Sequence, residues 1–264
     1  MSDVQDRWAA ALAYESFMGR WSRLLATRFV SWLRIPDGVH WLDVGCGTGA
    51  LTDAICAEAS PASVVGCDPS QPFVEYARSH SRDSRASFVV GAADALPSRP
   101  DGFGCVTSLL ALNFFPYADA AVREMRRRTI DGGVVSACVW DYAGGMQYLR
   151  YFWDGAVSIE PAASRLDEGQ RFPLCHPHAL VDLFRVTGLS EVRCEPIEIS
   201  MEFASFDDYW RPFLGGTGPA PSYVASLSVE RCAELARRLE ASLPRTSTGA
   251  IELKTRAWAV RGST

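Results

Sequence analysis

The chain has almost no lysine: Lys254 stands alone among 26 basic residues, and the rest are arginine. A skew of this kind is a coding bias, and it discounts any single arginine as a ligand. Positive charge is not in excess either. Against 31 acidic residues the net charge is -5 and the pI is ≈ 5.4, which speaks against a basic nucleic-acid-binding face. No C-x-x-C occurs among the eight cysteines, and the closest pair, Cys46 and Cys56, is ten residues apart. That spacing excludes a zinc ribbon, an iron–sulfur site and a thioredoxin-like redox motif, and no metal site is expected. Several cysteines sit in apolar runs, where a free thiol behaves as a small hydrophobe. There is no apolar run of about 18 residues to span a membrane, and MSDVQDRWAA is not a signal peptide. A reduced, cytoplasmic protein is the expectation.

What is present fits a globular enzyme. The chain has 264 residues, 48% of them hydrophobic and 22% charged, enough to bury a large core without staples. One large domain is expected. Residues 4 to 34 read as a helix, with Trp21, Leu25, Phe29 and Trp32 or Leu33 on one stripe. Ile35-Pro36-Asp37-Gly38 ends it. Apolar runs at 39–44, 63–67, 86–90, 104–112 and 133–140 then alternate with helical patterns at 51–57, 72–79 and 118–128. This is the rhythm of βαβ units and a parallel sheet with both faces covered. After Trp140 the rhythm changes. A helix at 177–187, strands at 191–203 and 251–260, and a helix at 229–243 are separated by two aromatic insertions, 143–175 and 204–248. We read these as a lid at the carboxyl edge, where ligands bind in open α/β sheets.

The most informative stretch is Leu42-Asp43-Val44-Gly45-Cys46-Gly47-Thr48-Gly49, between the first strand and its helix. Its glycines permit positive φ and close approach of backbone to a ligand. Gly45, Gly47 and Gly49 make G-x-G-x-G rather than the G-x-G-x-x-G of dinucleotide sites. Asp43 would repel a pyrophosphate and attract an ammonium, so the loop suits a ligand with a positive end. The second strand closes with Gly66-Cys67-Asp68-Pro69. Asp68, 19 residues past Gly49, stands where a carboxylate accepts the ribose hydroxyls of a nucleoside ligand.

With Gly91-Ala92-Ala93-Asp94-Ala95-Leu96-Pro97 and Glu124-Met125-Arg126-Arg127 before Gly132-Gly133, these motifs come in an order that resembles the class I S-adenosylmethionine-dependent methyltransferases, close to the ubiquinone/menaquinone-methylase-like small-molecule branch. The resemblance covers residues 35 to 142. It implies a Rossmann-like, doubly wound, seven-stranded sheet, mostly parallel with an antiparallel last strand, together with an N-terminal helix. It implies S-adenosyl-L-methionine as cofactor. Asp43, Gly45, Gly47 and Gly49 would hold its methionine part and Asp68 its ribose. Asp94 would hold the adenine amino group, with Ala93 and Leu96 near the ring. Asn113 would lie near the methionine end or the substrate. The segment around Tyr14 and Arg20 is also similar to bacterial members of this branch; Arg20 could meet the cofactor's carboxylate and Tyr14 could close the pocket. Asp131-Gly132-Gly133 and Phe103-Gly104 depart from the family's Pro-Gly-Gly and Phe-Asp. Asn113-Phe114-Phe115-Pro116 is not the Asn-Pro-Pro-aromatic motif of amino-group methylases.

Methyl transfer from a sulfonium needs no protein nucleophile, because holding donor and acceptor together supplies most of the acceleration. A base helps when the acceptor is a phenol or a carbon acid. The base candidates are His176 and His178, which flank Pro177 at a helix start, and Tyr142. Trp140, Tyr142, Arg150 and Arg171 are the substrate candidates, the arginines as bidentate carboxylate anchors. The expected function is methylation of a small organic molecule, more readily at oxygen, by a monomer or homodimer. The alternatives are a nucleotide-dependent oxidoreductase on the same sheet and a non-catalytic S-adenosylmethionine-binding module.

Overall fold

The computed structural model describes residues 11–264 apart from 217. The part of the expected first helix before residue 11 lies outside the described residues. In chain order, α1 (Ala11–Tyr14) runs through a π-turn (Glu15–Gly19) into α2 (Arg20–Leu33), followed by β1 (His40–Val44), α3 (Ala50–Glu58), β2 (Ser63–Asp68), α4 (Gln71–His80), β3 (Ala86–Val90) and β4 (Phe103–Leu109). Next come α5 (Ala118–Arg128), β5 (Thr129–Trp140), α6 (Gln147–Ile159), α7 (Glu168–Arg171), α8 (Pro177–Val186) and β6 (Ser190–Phe203). The chain ends with α9 (Phe206–Trp210), α10 (Pro219–Ser226), α11 (Val229–Ser242) and β7 (Ile251–Ser263).

The seven strands form one sheet in the order β3-β2-β1-β4-β5-β7-β6. β1 pairs in parallel with β2 and β4, β2 with β3, and β4 with β5; β5 and β7 pair antiparallel, Ala137 opposite Val260. This is the Rossmann-like sheet expected. Trp41, Leu42 and Val44 of β1 and the last eight residues of β5 are buried, as strands covered on both faces require. The order reverses at β1: the chain moves to β2 on one side, then returns to β4 on the other. Such a reversal opens a crevice at the carboxyl ends of the two central strands. Edge strand β6 carries Pro196 and the exposed Glu191, Arg193 and Glu195, which discourage pairing with another chain.

The chain divides into two compact units. One holds Gly19–Trp140, Leu174–Ile197 and Ala257–Thr264. In it α2 turns Trp21, Leu25, Phe29 and Leu33 inward, the stripe read from the sequence. Arg34, with φ 50, ends that helix in the left-handed region.

The other unit holds 11–18, Asp141–Pro173 and Glu198–Arg256. Its aromatic residues pack on one another. The rings of Phe152 and Phe213 stack at 4.5 Å, Tyr148 meets Tyr209 edge-on at 5.2 Å, and Phe17 lies 5.5 Å from Phe213. Tyr148, Phe152, Tyr209 and Phe213 are fully buried. The expected lid aromatics therefore form this unit's own hydrophobic core. The turn after β5 is knitted by Asp141, whose Oδ1 accepts from Gly144 N and whose Oδ2 accepts from Arg256 Nε and Nη2 at 2.8 and 2.6 Å.

Phe152→Ala removes a stacked ring from a closed cluster. It should lower the unfolding free energy by about 3–5 kcal/mol, read from urea unfolding, whereas Phe152→Leu should cost under half of that. Equal, small losses would show that the cluster is not a packed core.

Candidate cofactor-binding site

The glycine loop sits at the carboxyl end of β1, where the strand order reverses. Gly45 N and Cys46 N both donate to Cys67 O, at 2.7 and 3.1 Å, which docks the loop against the end of β2. Gly45 has φ 74, and a Cβ there would lie 2.4 Å from Ala111 Cβ, so only glycine fits. Gly47 has φ 53, and a Cβ there would meet nothing within 4 Å. The loop is thus closed against protein at one glycine and open at the next.

Asp43 is the fourth of the five residues of β1. It pairs with Gly66 of β2 and Thr107 of β4, and it is fully buried. Thr52 Oγ1 donates to Asp43 Oδ2 at 2.8 Å, while Oδ1 is shielded and has no partner among the described residues. Its pKa is raised to about 7: burial pushes it up most, the Thr52 bond pulls it down, and nearby Asp68 adds to the rise. Asp68, 7% exposed at the end of β2, accepts from Gly47 N through Oδ2 at 2.9 Å and from Ser70 N through Oδ1 at 2.8 Å. Burial raises its pKa as well.

The structure brings Asp43, Gly45, Gly47, Gly49 and Asp68 together. Gly91 N donates to Asp68 O, so the chain leaving β3 starts beside Asp68; further along it Ala93 is half-buried, Asp94 exposed and Leu96 buried. Asn113 lies in the 3-10 turn Leu112–Phe114 after β4, and its Oδ1 and Nδ2 are both shielded without a partner among the described residues. Thr48 Oγ1 is in the same state. Arg20 is exposed, with its guanidinium 4.2 Å above the Trp21 ring. Trp140 is buried at the end of β5. His176 occupies the N-cap position of α8 without a capping bond from its side chain, and His178 lies in the first turn; both are exposed.

The remaining candidates belong to the other unit. Tyr14 is half-buried at the end of α1, and the Tyr142 ring packs 5.6 Å from Phe172. Arg150 is bound through both terminal nitrogens to Asp167, with Nη1 2.9 Å from Oδ2, so this guanidinium holds a protein carboxylate instead of standing open for a substrate's. Arg171 lies 5.1 Å from its neighbour Phe172's ring. Sequence reasoning missed Thr52, Thr48 and Phe115. Thr52 lies nine residues from Asp43, a separation that matches no helical or strand period. Phe115 reaches the loop only by tertiary packing, 3.4 Å from where a Gly45 Cβ would be.

A methyltransferase-domain family model matches residues 42–137. The chain is 35% identical over 173 residues to a demethylmenaquinone methyltransferase of Roseiflexus sp. (strain RS-1), covering 60% of this chain and 70% of that protein. It is 29% identical over 170 residues to Methyltransferase GfsG of Streptomyces halstedii. It spans about half the length of several curated relatives: 58% of GfsG and 46% of the ubiquinone/menaquinone biosynthesis C-methyltransferase of Paracoccus denitrificans. Among solved structures, the YcgJ protein of Bacillus subtilis superposes with a TM-score of 0.58 at 19% identity, over 93% of this chain and 98% of that one, which shows a shared fold. The chain belongs to the class I S-adenosylmethionine-dependent methyltransferases, in the ubiquinone/menaquinone-methylase-like branch.

The residues present fit the family's cofactor, S-adenosylmethionine. An ammonium suits the unpartnered Asp43 Oδ1, and the loop is open at Gly47, whose N–H is bonded to Asp68. The sign of the pH dependence follows from Asp43. Its folded pKa of about 7 lies above the ordinary 3.8, so in the free protein its contribution to stability is full below about pH 4 and is lost as pH rises through 7. A bound ammonium favours the ionised form, so binding should tighten as pH rises through 7 and should release a proton. Calorimetry with S-adenosylhomocysteine should show a Kd several-fold lower at pH 8 than at pH 6. Asp43→Asn should bind weakly, with a flat profile; a flat wild-type profile would take Asp43 out of ligand contact.

Proposed function

We propose that the protein transfers a methyl group from S-adenosylmethionine to an oxygen of a small organic molecule. The observation that carries this reading is the pair of buried carboxylates at the strand-order reversal. Asp43 has one oxygen without a partner, and Asp68 is bonded to the loop's own Gly47. Asp43 binds the ammonium. Asp68 binds the ribose hydroxyls, because a carboxylate with one backbone bond on each oxygen keeps further lone pairs free. Asp94 takes the adenine amino group, beside Ala93 and Leu96.

When bound, the cofactor supplies a methyl carbon on a sulfonium; the acceptor's lone pair forms the new bond as the carbon–sulfur pair leaves on sulfur. The chain's share of the work is to hold both reactants in line, which is worth up to about 7–11 kcal/mol. The acceptor's proton leaves to water, and no protein nucleophile takes part. The names of the relatives, which include quinone-pathway C- and O-methyltransferases, support a small acceptor. The net charge of -5 supports one that is not nucleic acid. All eight cysteines are free, which supports a reducing, cytoplasmic setting. Among the described residues no helix is long and apolar enough to cross a membrane.

S-adenosylhomocysteine should raise the melting temperature, because a ligand of the native state stabilises by mass action; NAD should not. Stabilisation by NAD alone would replace this reading with an oxidoreductase. Asp68→Asn, which keeps the shape, should weaken S-adenosylhomocysteine binding at least ~10-fold, through the loss of charge-assisted hydrogen bonds. Incubation with S-adenosylmethionine and a panel of phenols and small acids should yield S-adenosylhomocysteine. Binding without any turnover would make the protein a binding module.

A further inference from the structure

We infer that the turn from Asp167 to Phe172, in the unit that holds Asp141–Pro173, is a proton-held latch: it stays closed while the Glu168 carboxyl keeps its proton, and it opens, releasing Arg150 from Asp167, as that proton passes to water. This device does not depend on the methyl-transfer reading above.

Asp167 caps α7. Its Oδ1 accepts from Gly169 N at 2.8 Å, and its backbone oxygen accepts from Gln170 N and Arg171 N at 3.0 and 3.1 Å. Glu168 O accepts from Phe172 N at 3.0 Å. Gly169 lets the turn lie against the backbone that follows β5: a Cβ there would stand 3.0 Å from Ala143 Cα and 3.1 Å from Tyr142 O. Two carboxyls are thereby buried side by side, Asp167 at 6% exposure and Glu168 at 2%. Arg150 of α6 gives both terminal nitrogens to Asp167. Glu168 Oε2 accepts from the indole N–H of Trp153, on the same helix.

The Arg150–Asp167 pair is neutral as a unit. A charge on Glu168 would add a third to it in a place closed to water, where an indole N–H, a neutral donor, cannot stand in for a cation. Burial accordingly raises the Glu168 pKa from the ordinary 4.5 to about 8; its own backbone N–H and the Trp153 bond pull it down, Asp167 opposes ionisation and Arg171 favours it. Among the other charged groups of the elements packed here, Asp154 of α6 and Arg165 of the 3-10 turn Pro161–Leu166 are exposed, and the Tyr142 ring packs on Phe172. In an open turn the carboxyl meets water and returns to its ordinary range. The folded pKa is the raised one, so the contribution of Glu168 to closure is full below about pH 4.5 and is lost as pH rises through 8. A glutamine would keep an oxygen for the indole and lose this dependence. The acid therefore contributes a response to pH that the bond to Trp153 does not require.

The test is amide hydrogen exchange on the full chain from pH 5 to pH 9, read as the protection of the Gly169, Gln170, Arg171 and Phe172 amides after division by their intrinsic exchange rates. In wild type this protection should fall about tenfold per pH unit, because opening releases one proton, and it should level off above pH 8, where the closed turn has lost the proton too. Glu168→Gln should give a flat profile, with protection at pH 8 at least ~100-fold above wild type. If the variant does not fold, the wild-type slope alone decides. A flat wild-type profile overturns the inference. A Glu168→Gln profile as steep as that of wild type also overturns it, since a different group would then hold the latch.

Discussion

The bond from Gly47 N to Asp68 Oδ2, at 2.9 Å, couples the loop after β1 to the end of β2, and the geometry of the site depends on it. It places a loop that must be glycine beside a carboxylate that must be buried. The parallel pairing of β1 with β2 sets a second carboxylate, Asp43, close enough for the two to repel. The fold offsets this repulsion with donors from three places: Thr52 of α3, Gly47 of the loop and Ser70 before α4. One oxygen of Asp43 is left over. Two buried acids with incomplete donors form a site of negative potential that a cation relieves, and low local polarity strengthens the attraction.

The site stands where it does because of the sheet. A parallel sheet covered on both faces needs nearly continuous apolar strands, and β1, after the half-buried His40 that opens it, obeys this except at Asp43. That exception falls in the row Gly66, Asp43, Thr107, just below the reversal of strand order. Loops leave β1 and β4 in opposite directions there, so backbone, not side chains, opens the crevice. The same reversal brings Ala111 and Phe115, from the turn after β4, onto Gly45. One glycine is thereby committed to packing and the next is left open for a ligand.

The second unit shows what residue types leave open. Aromatic rings and arginines in an insertion suggest a substrate pocket. In the structure the rings stack on one another, and Arg150 binds Asp167. Trp153 Nε1 donates to Glu168, a buried acid whose pKa burial raises to about 8. A segment of this size needs a core of its own, and large flat rings fill one efficiently.

The strands, most of the helices and the glycine-rich loop were legible in the sequence, because each is a local property: alternation of apolar runs, a helical stripe, and glycine where φ must be positive. The helix 118–128 was read with its final bounds. Asp43 and Asp68 were legible because each stands next to such a local signal, at a strand's end. The partners were not legible. Thr52 on Asp43, Phe115 on Gly45, Asp167 on Arg150 and Arg256 on Asp141 meet across separations that follow no period, and a sequence lists residue types without saying which of them meet. Whether an arginine is open or paired, whether an amide is satisfied, and whether an aromatic ring lines a pocket or fills a core are questions of long-range packing. They were decided only when the strands had assembled and the helices had closed over them.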